Sequence, residues 1–219
     1  MTTKAFKTAI EIAKLTEKLN SDIGQASLKA ATLLNENTVF FDIETTGLSQ
    51  LDQIIEIAII DVNEKVLLNT RVKPTVDISS QAQQVHKISM FDLHDKPQWP
   101  AIVNEVKSLL EGKTVVAFNV ISDQGMLINC AIAHNLDKDW IRWLNTVYVM
   151  RMSASAFGAD KYGRISLADA AAAAKVDFIG LAQSALGDAL TTLELVKNLY
   201  KYSTNILEQI KELRVSLLN

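Results

Sequence analysis

Two acidic side chains stand one residue apart in an otherwise apolar stretch, "FDIETTGL", residues 41–48. The run reads as a strand entering a turn, so Asp42 and Glu44 share one face while Phe41 and Ile43 take the other. Carboxylates among apolar neighbours lose hydration and repel each other unless something positive is held between them. Two further acids sit where such a site could use them. In "AFNVISDQGML" Asn119 ends an apolar run and Asp123 falls in the first turn of the next helix. In "AQSALGDALTT" Asp188 falls early in a helix whose Leu186, Leu190 and Leu193 mark its apolar side. Each feature alone has a plain reading. Asp123 would favour a helix N-terminus by charge–dipole attraction, contributing about 0.3–1 kcal/mol. Asp188 would be a helix acid near the surface, and "ETTGL" a turn with Gly47 in the left-handed region. Their shared order and composition are not explained by those separate readings.

The elements that must position these acids can be read from periodicity. Ala5, Ala9, Ile12, Leu15 and Leu19 recur at helical spacing; "NSDIG" interrupts the pattern and "SLKAATLL" resumes it. After "NEN" the first strand spans Thr38 to Glu44, followed by "QIIEIAIIDV" and "KVLLNTRVKP", a hairpin joined by "NE". A Ser/Gln-rich stretch at 79–84 leads to "VHKI" and a helix over 101–110. "KTVVAF" (113–118) is a short, continuous apolar run, a buried strand, before a helix over 122–134. "NTVYVM" (145–150) reads as another strand, and Ser166 with Asp169 caps a further helix. A helix from Ser184 to Tyr200 and a separate one after Asn205 close the pattern. Hairpin strands first, then strands alternating with helices, imply an α/β fold with a mixed sheet covered by helices. Residues 1–36 read as an N-terminal helical extension of a domain spanning 37–219.

The bulk numbers narrow the partners. A net charge of -3 and a pI near 5.7 argue against a broad basic face that coats duplex DNA. They permit a narrow site that grips one strand end. The single cysteine, Cys130, forms no internal disulfide and suits a reducing compartment, so a cytoplasmic location is expected. No apolar run is long enough for a bilayer, and the N-terminus lacks the continuous apolar core of a signal peptide, so no membrane partner is expected.

"FDIETTGL", "FNVISD" and "SALGDA", in that order, resemble the three motifs of the DEDD exonucleases, in the DnaQ-like branch of the ribonuclease H-like fold. The resemblance covers roughly residues 38–200, with Ser122 where the family usually has an aromatic; "VHKI" places His86 where members commonly have a histidine near the substrate. It implies hydrolysis of phosphodiester bonds from a 3′ end with two Mg²⁺ or Mn²⁺ ions; single-stranded ends are the expected substrate, DNA favoured over RNA. Such ions sit about 3.5–4 Å apart and stabilise both attacking and leaving oxygens. The resemblance gives Asp42 to both ions, Glu44 and Asp188 to the first, and Asp123 to the second through water. Backbone groups of Thr45, Thr46, Gly47 and Leu48 would hold the terminal nucleotide, with Leu48 wedged against its base. Asn119 and His86 would contact sugar or phosphate.

One position departs from the pattern. The histidine branch (DEDDh) carries its base five residues before the last aspartate, and here that position is Gln183. The tyrosine branch does not rescue it, because its position holds Ser184. Histidine titrates near neutrality and accepts a proton from attacking water, whereas a glutamine amide does not. His86 and His134 lie away from that position in the motif. Either this chain is a His-to-Gln form of an active nuclease, or it is a natural module that lost the base and kept 3′-end or protein binding. Two other features have paired readings. The N-terminal helices either cover the core or meet another protein or a second copy. Lys161, Tyr162 and Arg164 form either a solvated loop or a contact near the cleft mouth.

Overall fold

The computed structural model describes residues 3–180 and 183–217, so the outermost residues of both expected segments lie outside it. Its sheet is built from β1 (Thr38–Thr45), β2 (Ile54–Asp61), β3 (Val66–Arg71), β4 (Thr114–Ala117) and β5 (Asn145–Tyr148), in the order β3-β2-β1-β4-β5. The first three strands are antiparallel neighbours, while β4 runs parallel to β1 and β5 parallel to β4. The β2–β3 turn is closed by Asp61, whose Oδ1 accepts the amides of Asn63 and Lys65. Ile54–Ile60 are all buried, as a strand covered on both faces requires.

Helices α1 (Thr3–Asn20) and α2 (Asp22–Ala31) precede the sheet, and α3 (Ser80–His86) follows β3. Then come α4 (Trp99–Leu110), α5 (Val120–Ala133), α6 (Asp139–Arg142), α7 (Val149–Phe157), α8 (Leu167–Ala174) and α9 (Ala185–Ser216). Strand alternation assigns the layers. Val39, Phe41 and Ile43 share a core with Trp99 and Val106 of α4 and Leu127 of α5. Phe40 packs on the opposite face with Met152 of α7, Ala170 of α8 and Leu193 of α9. Asp42 and Glu44 continue Phe40's face, so the strand period aims them toward α9.

Three expectations change. The Ser/Gln-rich stretch is helical: Ser79 accepts the Ala82 amide and starts α3. The fifth strand ends at Tyr148, and Val149 and Met150 open α7. The two expected C-terminal helices are one, α9. The polar "YSTN" stretch that reads as a break carries a local opening instead. The Ser203 amide donates to Ser27 Oγ at 2.7 Å, and that hydroxyl donates to the Leu199 carbonyl. A side chain from α2 thus enters the helix's own i→i−4 ladder without ending it.

Beyond this point Ile206 and Ile210 of α9 pack on Leu15 and Leu19 of α1. The α1–α2 corner is tight, since a Cβ on Gly24 would lie 2.3 Å from the Lys18 carbonyl oxygen. Gly24→Ala is therefore expected to destabilise the fold by about 1–3 kcal/mol through overpacking against backbone. Urea denaturation monitored by circular dichroism checks this; an unchanged midpoint contradicts the packing.

Candidate active site

Four carboxylates converge at the C-terminal ends of the parallel strands β1 and β4. Asp42 and Glu44 come from β1, Asp123 from the first turn of α5, and Asp188 from the first turn of α9. One oxygen each from Asp42, Glu44 and Asp188 lie within 4.8 Å of one another. Asp123 stands outside that triad. It is 6% exposed, and its Oδ2 is buried without a hydrogen-bond partner among the described residues.

Burial and mutual repulsion disfavour the charged forms. Asp42 is held well above the usual carboxylate range by burial, then by the charges of Asp123, Asp188 and Glu44. Burial, with Asp188, Glu56 and Asp123 beside it, lifts Glu44 to about 8. Burial raises Asp188 to about 6, although the Gln183 amide at 3.2 Å opposes it, and burial alone raises Asp123. An all-oxygen donor set with an unpartnered buried oxygen fits a hard divalent cation such as Mg²⁺ or Mn²⁺.

The acids lie where two hollows meet. One, of about 330 Å³, is lined by Glu44, Thr45, Gly47, Leu48, His86 and Asp123, among others. The other, of about 300 Å³, is lined by Asp42, Glu44, Asn119, Gln183 and Asp188, with apolar residues between them. Every residue expected at the site therefore borders the cleft except Thr46. Thr46 is fully buried: its amide donates to the Gln53 carbonyl and its carbonyl accepts the Ser79 amide. Its hydroxyl donates to Asp52 at 2.6 Å, so Thr46 braces the turn and has no free backbone group for a nucleotide. Asp52 also explains Gly47, because a Cβ there would meet its carboxylate at 2.7 Å. Leu48, by contrast, is 86% exposed at the rim.

No histidine offers a free lone pair beside the acids. His86 Nδ1 accepts the Ile88 amide at 3.0 Å, which leaves the neutral ring a proton on Nε2 and no free lone pair. Burial also lowers its pKa. His134 caps the far end of α5, roughly 16 Å from Asp123 at 1.5 Å rise per residue. His94, which the motif comparison passed over, is exposed and stacks on Phe91 outside both hollows. Gln183 itself sits at φ 65 in the left-handed region, its amide aimed at Asp188 Oδ1.

Sequence reasoning missed Glu56. It stands opposite Glu44 in the β1–β2 register and is almost buried. Its Oε1 accepts Arg71 Nε at 3.2 Å, and its Oε2 accepts the Ala185 amide at 3.0 Å. A sheet carboxylate thus holds the N-terminus of α9, and with it Gln183 and Asp188. The signal was present as a lone acid inside "IIEIAII".

Mixed-sheet order and flanking helices define a ribonuclease H-like fold, with the acidic cleft at its strand ends. Residues 39–196 match the RNase_T exonuclease family model, and the chain belongs to that exonuclease family. It is 32% identical over 182 residues to an uncharacterized exonuclease, CP81, of Escherichia phage 186, covering 80% of this chain and 94% of that one. The fold is shared with Exonuclease X in complex with 5′ overhanging duplex DNA (TM-score 0.58, 24% identity, 80% of this chain and 98% of that one). It is also shared with the nuclease domain of 3′hExo, a DEDDh family member, bound to rAMP (TM-score 0.55, 15% identity, 78% and 90%).

Two outcomes test the site. In metal-free protein the raised carboxylates bind protons more tightly folded than unfolded. Stability is therefore full below their ordinary values and falls as pH rises from 4.5 through about 8 for Glu44, and from 3.8 through about 6 for Asp188. Scanning calorimetry in chelator across that range should show Tm falling, and Mn²⁺ restoring it most at the alkaline end; a flat profile contradicts the clustering. Second, Glu56→Ala leaves the Ala185 amide without its acceptor, an expected loss of about 1–3 kcal/mol in urea denaturation. Glu56→Gln, which keeps an acceptor, should lose less.

Proposed function

We propose that this cleft hydrolyses phosphodiester bonds at the 3′ end of single-stranded nucleic acid, with DNA preferred. The observation that carries the reading is the convergence of Asp42, Glu44 and Asp188 within 4.8 Å beside a buried, unpartnered Asp123. Two Mg²⁺ or Mn²⁺ ions held by these residues would neutralise their repulsion and supply Lewis-acid stabilisation to the attacking and leaving oxygens. Asp42, Glu44 and Asp188 would hold these ions together, with Asp123 beside them as a further oxygen donor.

The remaining residues bind and orient. Leu48, exposed at the rim, wedges against the terminal base, and the backbone of Thr45 and Gly47 lines its pocket. His86 lines the same pocket and would contact sugar or phosphate there. Asn119, whose Oδ1 accepts the Tyr148 hydroxyl at 3.0 Å, offers its amide nitrogen to sugar or phosphate. Gln183 hydrogen-bonds the attacking water without accepting its proton, so this chain is a slowed nuclease. Packing of α1 and α2 on α9 supports the core-covering role for residues 1–36. No helix among the described residues is long and apolar enough to cross a membrane; with a lone buried thiol, this supports action in the cytoplasm.

Digestion of 5′-labelled DNA and RNA strands with Mg²⁺ or Mn²⁺ tests the reading. Gln183→His should raise the rate by about 10²–10⁴, the usual contribution of a general base. Asp42→Asn or Asp188→Asn should abolish cutting in that background. If neither form cuts while both bind 3′ ends, the cleft is a binding module, the alternative that Gln183 itself favours.

A further inference from the structure

The two hollows that meet at the acids differ in what lies beyond them. The one at Leu48 ends against α3, at Ala82 and Val85. The other passes Asn119 and Gln183 and shares Met150 and Ser166 with a third, larger hollow of about 650 Å³. Phe157, Arg164 and Ile165 wall that third space. The hollow at the carboxylates and the one at the α7–α8 loop therefore adjoin, with Met150 and Ser166 between them.

That loop carries a cluster the chemistry above does not use. Asp160 Oδ1 accepts the amides of Tyr162 and Arg164, and Gly163 closes the turn at φ 74. The turn holds Tyr162 66% exposed, with Lys161 Nζ and Arg164 Cζ at 4.9 and 5.0 Å from its ring centre. Nearer the cleft, Arg151 lies over Tyr148 at 5.5 Å, and the Tyr148 hydroxyl reaches Asn119. Two cation–ring groups thus stand here, Arg151 with Tyr148 beside Asn119 and Lys161 and Arg164 with Tyr162 on the loop, in a chain of net charge -3. The acids of the third hollow are engaged: Asp160 by the loop amides and Arg164, Asp169 by the Ser166 hydroxyl and amide-capping turn. An exposed ring flanked by cations matches what a single strand offers, base faces to stack and phosphates to pair.

We propose that these adjoining hollows form the path by which the strand upstream of the scissile bond leaves the cleft. Arg151, Lys161 and Arg164 take phosphates, and Tyr162 stacks on a base. The inference rests on the strand-cleaving reading above and adds a direction to it: terminal nucleotide at Leu48, upstream strand toward Tyr162. Its ligand class is a single strand long enough to reach the loop; a dinucleotide spans only the acidic end.

Fluorescence anisotropy in Ca²⁺, with labelled oligothymidylates of about ten nucleotides and a labelled dinucleotide, tests the path. The double variant Lys161→Ala/Arg164→Ala should bind the longer strand about tenfold more weakly at moderate salt. Its plot of log affinity against log salt should be shallower by about 1.4, at about 0.7 per single-strand phosphate contact. The dinucleotide should lose far less, and Tyr162→Ala should weaken the long strand without changing the slope. Equal losses at both lengths, or none at either, overturn the path. If the length-dependent loss is seen but Mg²⁺ and Mn²⁺ release no nucleotides even from Gln183→His, the path stands and the hydrolytic reading fails. If the unsubstituted chain binds neither strand, both fail.

Discussion

Asp42, Glu44 and Asp188 repel one another across less than 4.8 Å, in a cleft that withholds most of their hydration. A pliable chain would let them drift apart, and the architecture is what prevents it. β1 is the middle strand, paired with β4 through Thr38–Phe40 and with β2 through Asp42 and Glu44, so both acids extend from a segment anchored on its two edges. Asp188 rides on a helix whose first turn is fastened twice, by the Ser184 side chain on the Gly187 amide and by Glu56 on the Ala185 amide. The second fastening sets another carboxylate beside Glu44, which raises the electrostatic cost while fixing the geometry. Arg71, paired with Glu56 at 3.2 Å, offsets part of it. Such a donor set fits a hard divalent cation.

What was legible in the sequence follows from which forces act locally. A strand's period of two placed Asp42 and Glu44 on one face, with Phe41 and Ile43 on the other, without knowledge of neighbours. The β2–β3 hairpin and the starts of α5 and α8 were likewise written in adjacent residues. The continuity of α9 was not, because it depends on a serine hydroxyl supplied by α2, far away in sequence. Thr46 reads like its neighbours in "ETTGL", yet only the fold shows that Gln53, Asp52 and Ser79 consume its polar groups. Glu56 was hidden for the same reason: its partners, Arg71 and Ala185, come from a neighbouring strand and a distant helix.

Position 183 separates two duties that a sequence motif fuses. Its backbone amide points at Asp188 and helps keep that carboxylate from rising further, a role indifferent to the side chain. Its side chain borders the cleft, where proton transfer would require a titratable ring. Glutamine keeps the first duty and forfeits the second. The backbone geometry that holds Asp188 is therefore independent of whether the side chain at 183 titrates.

The pairing of α1 with the far half of α9 also has a meaning in time. Leu15 and Leu19 leave the ribosome before every strand of the sheet, while Ile206 and Ile210 emerge after all of them. During synthesis the apolar stripe of α1 has no native partner until almost the whole domain exists. The acidic cleft closes in the same late stage, because Asp188 belongs to that same helix. Contacts of such large sequence separation form slowly and leave apolar surface exposed meanwhile. A nascent chain halted before α9 would hold Asp42, Glu44 and Asp123 but neither the third member of the triad nor the cover for α1.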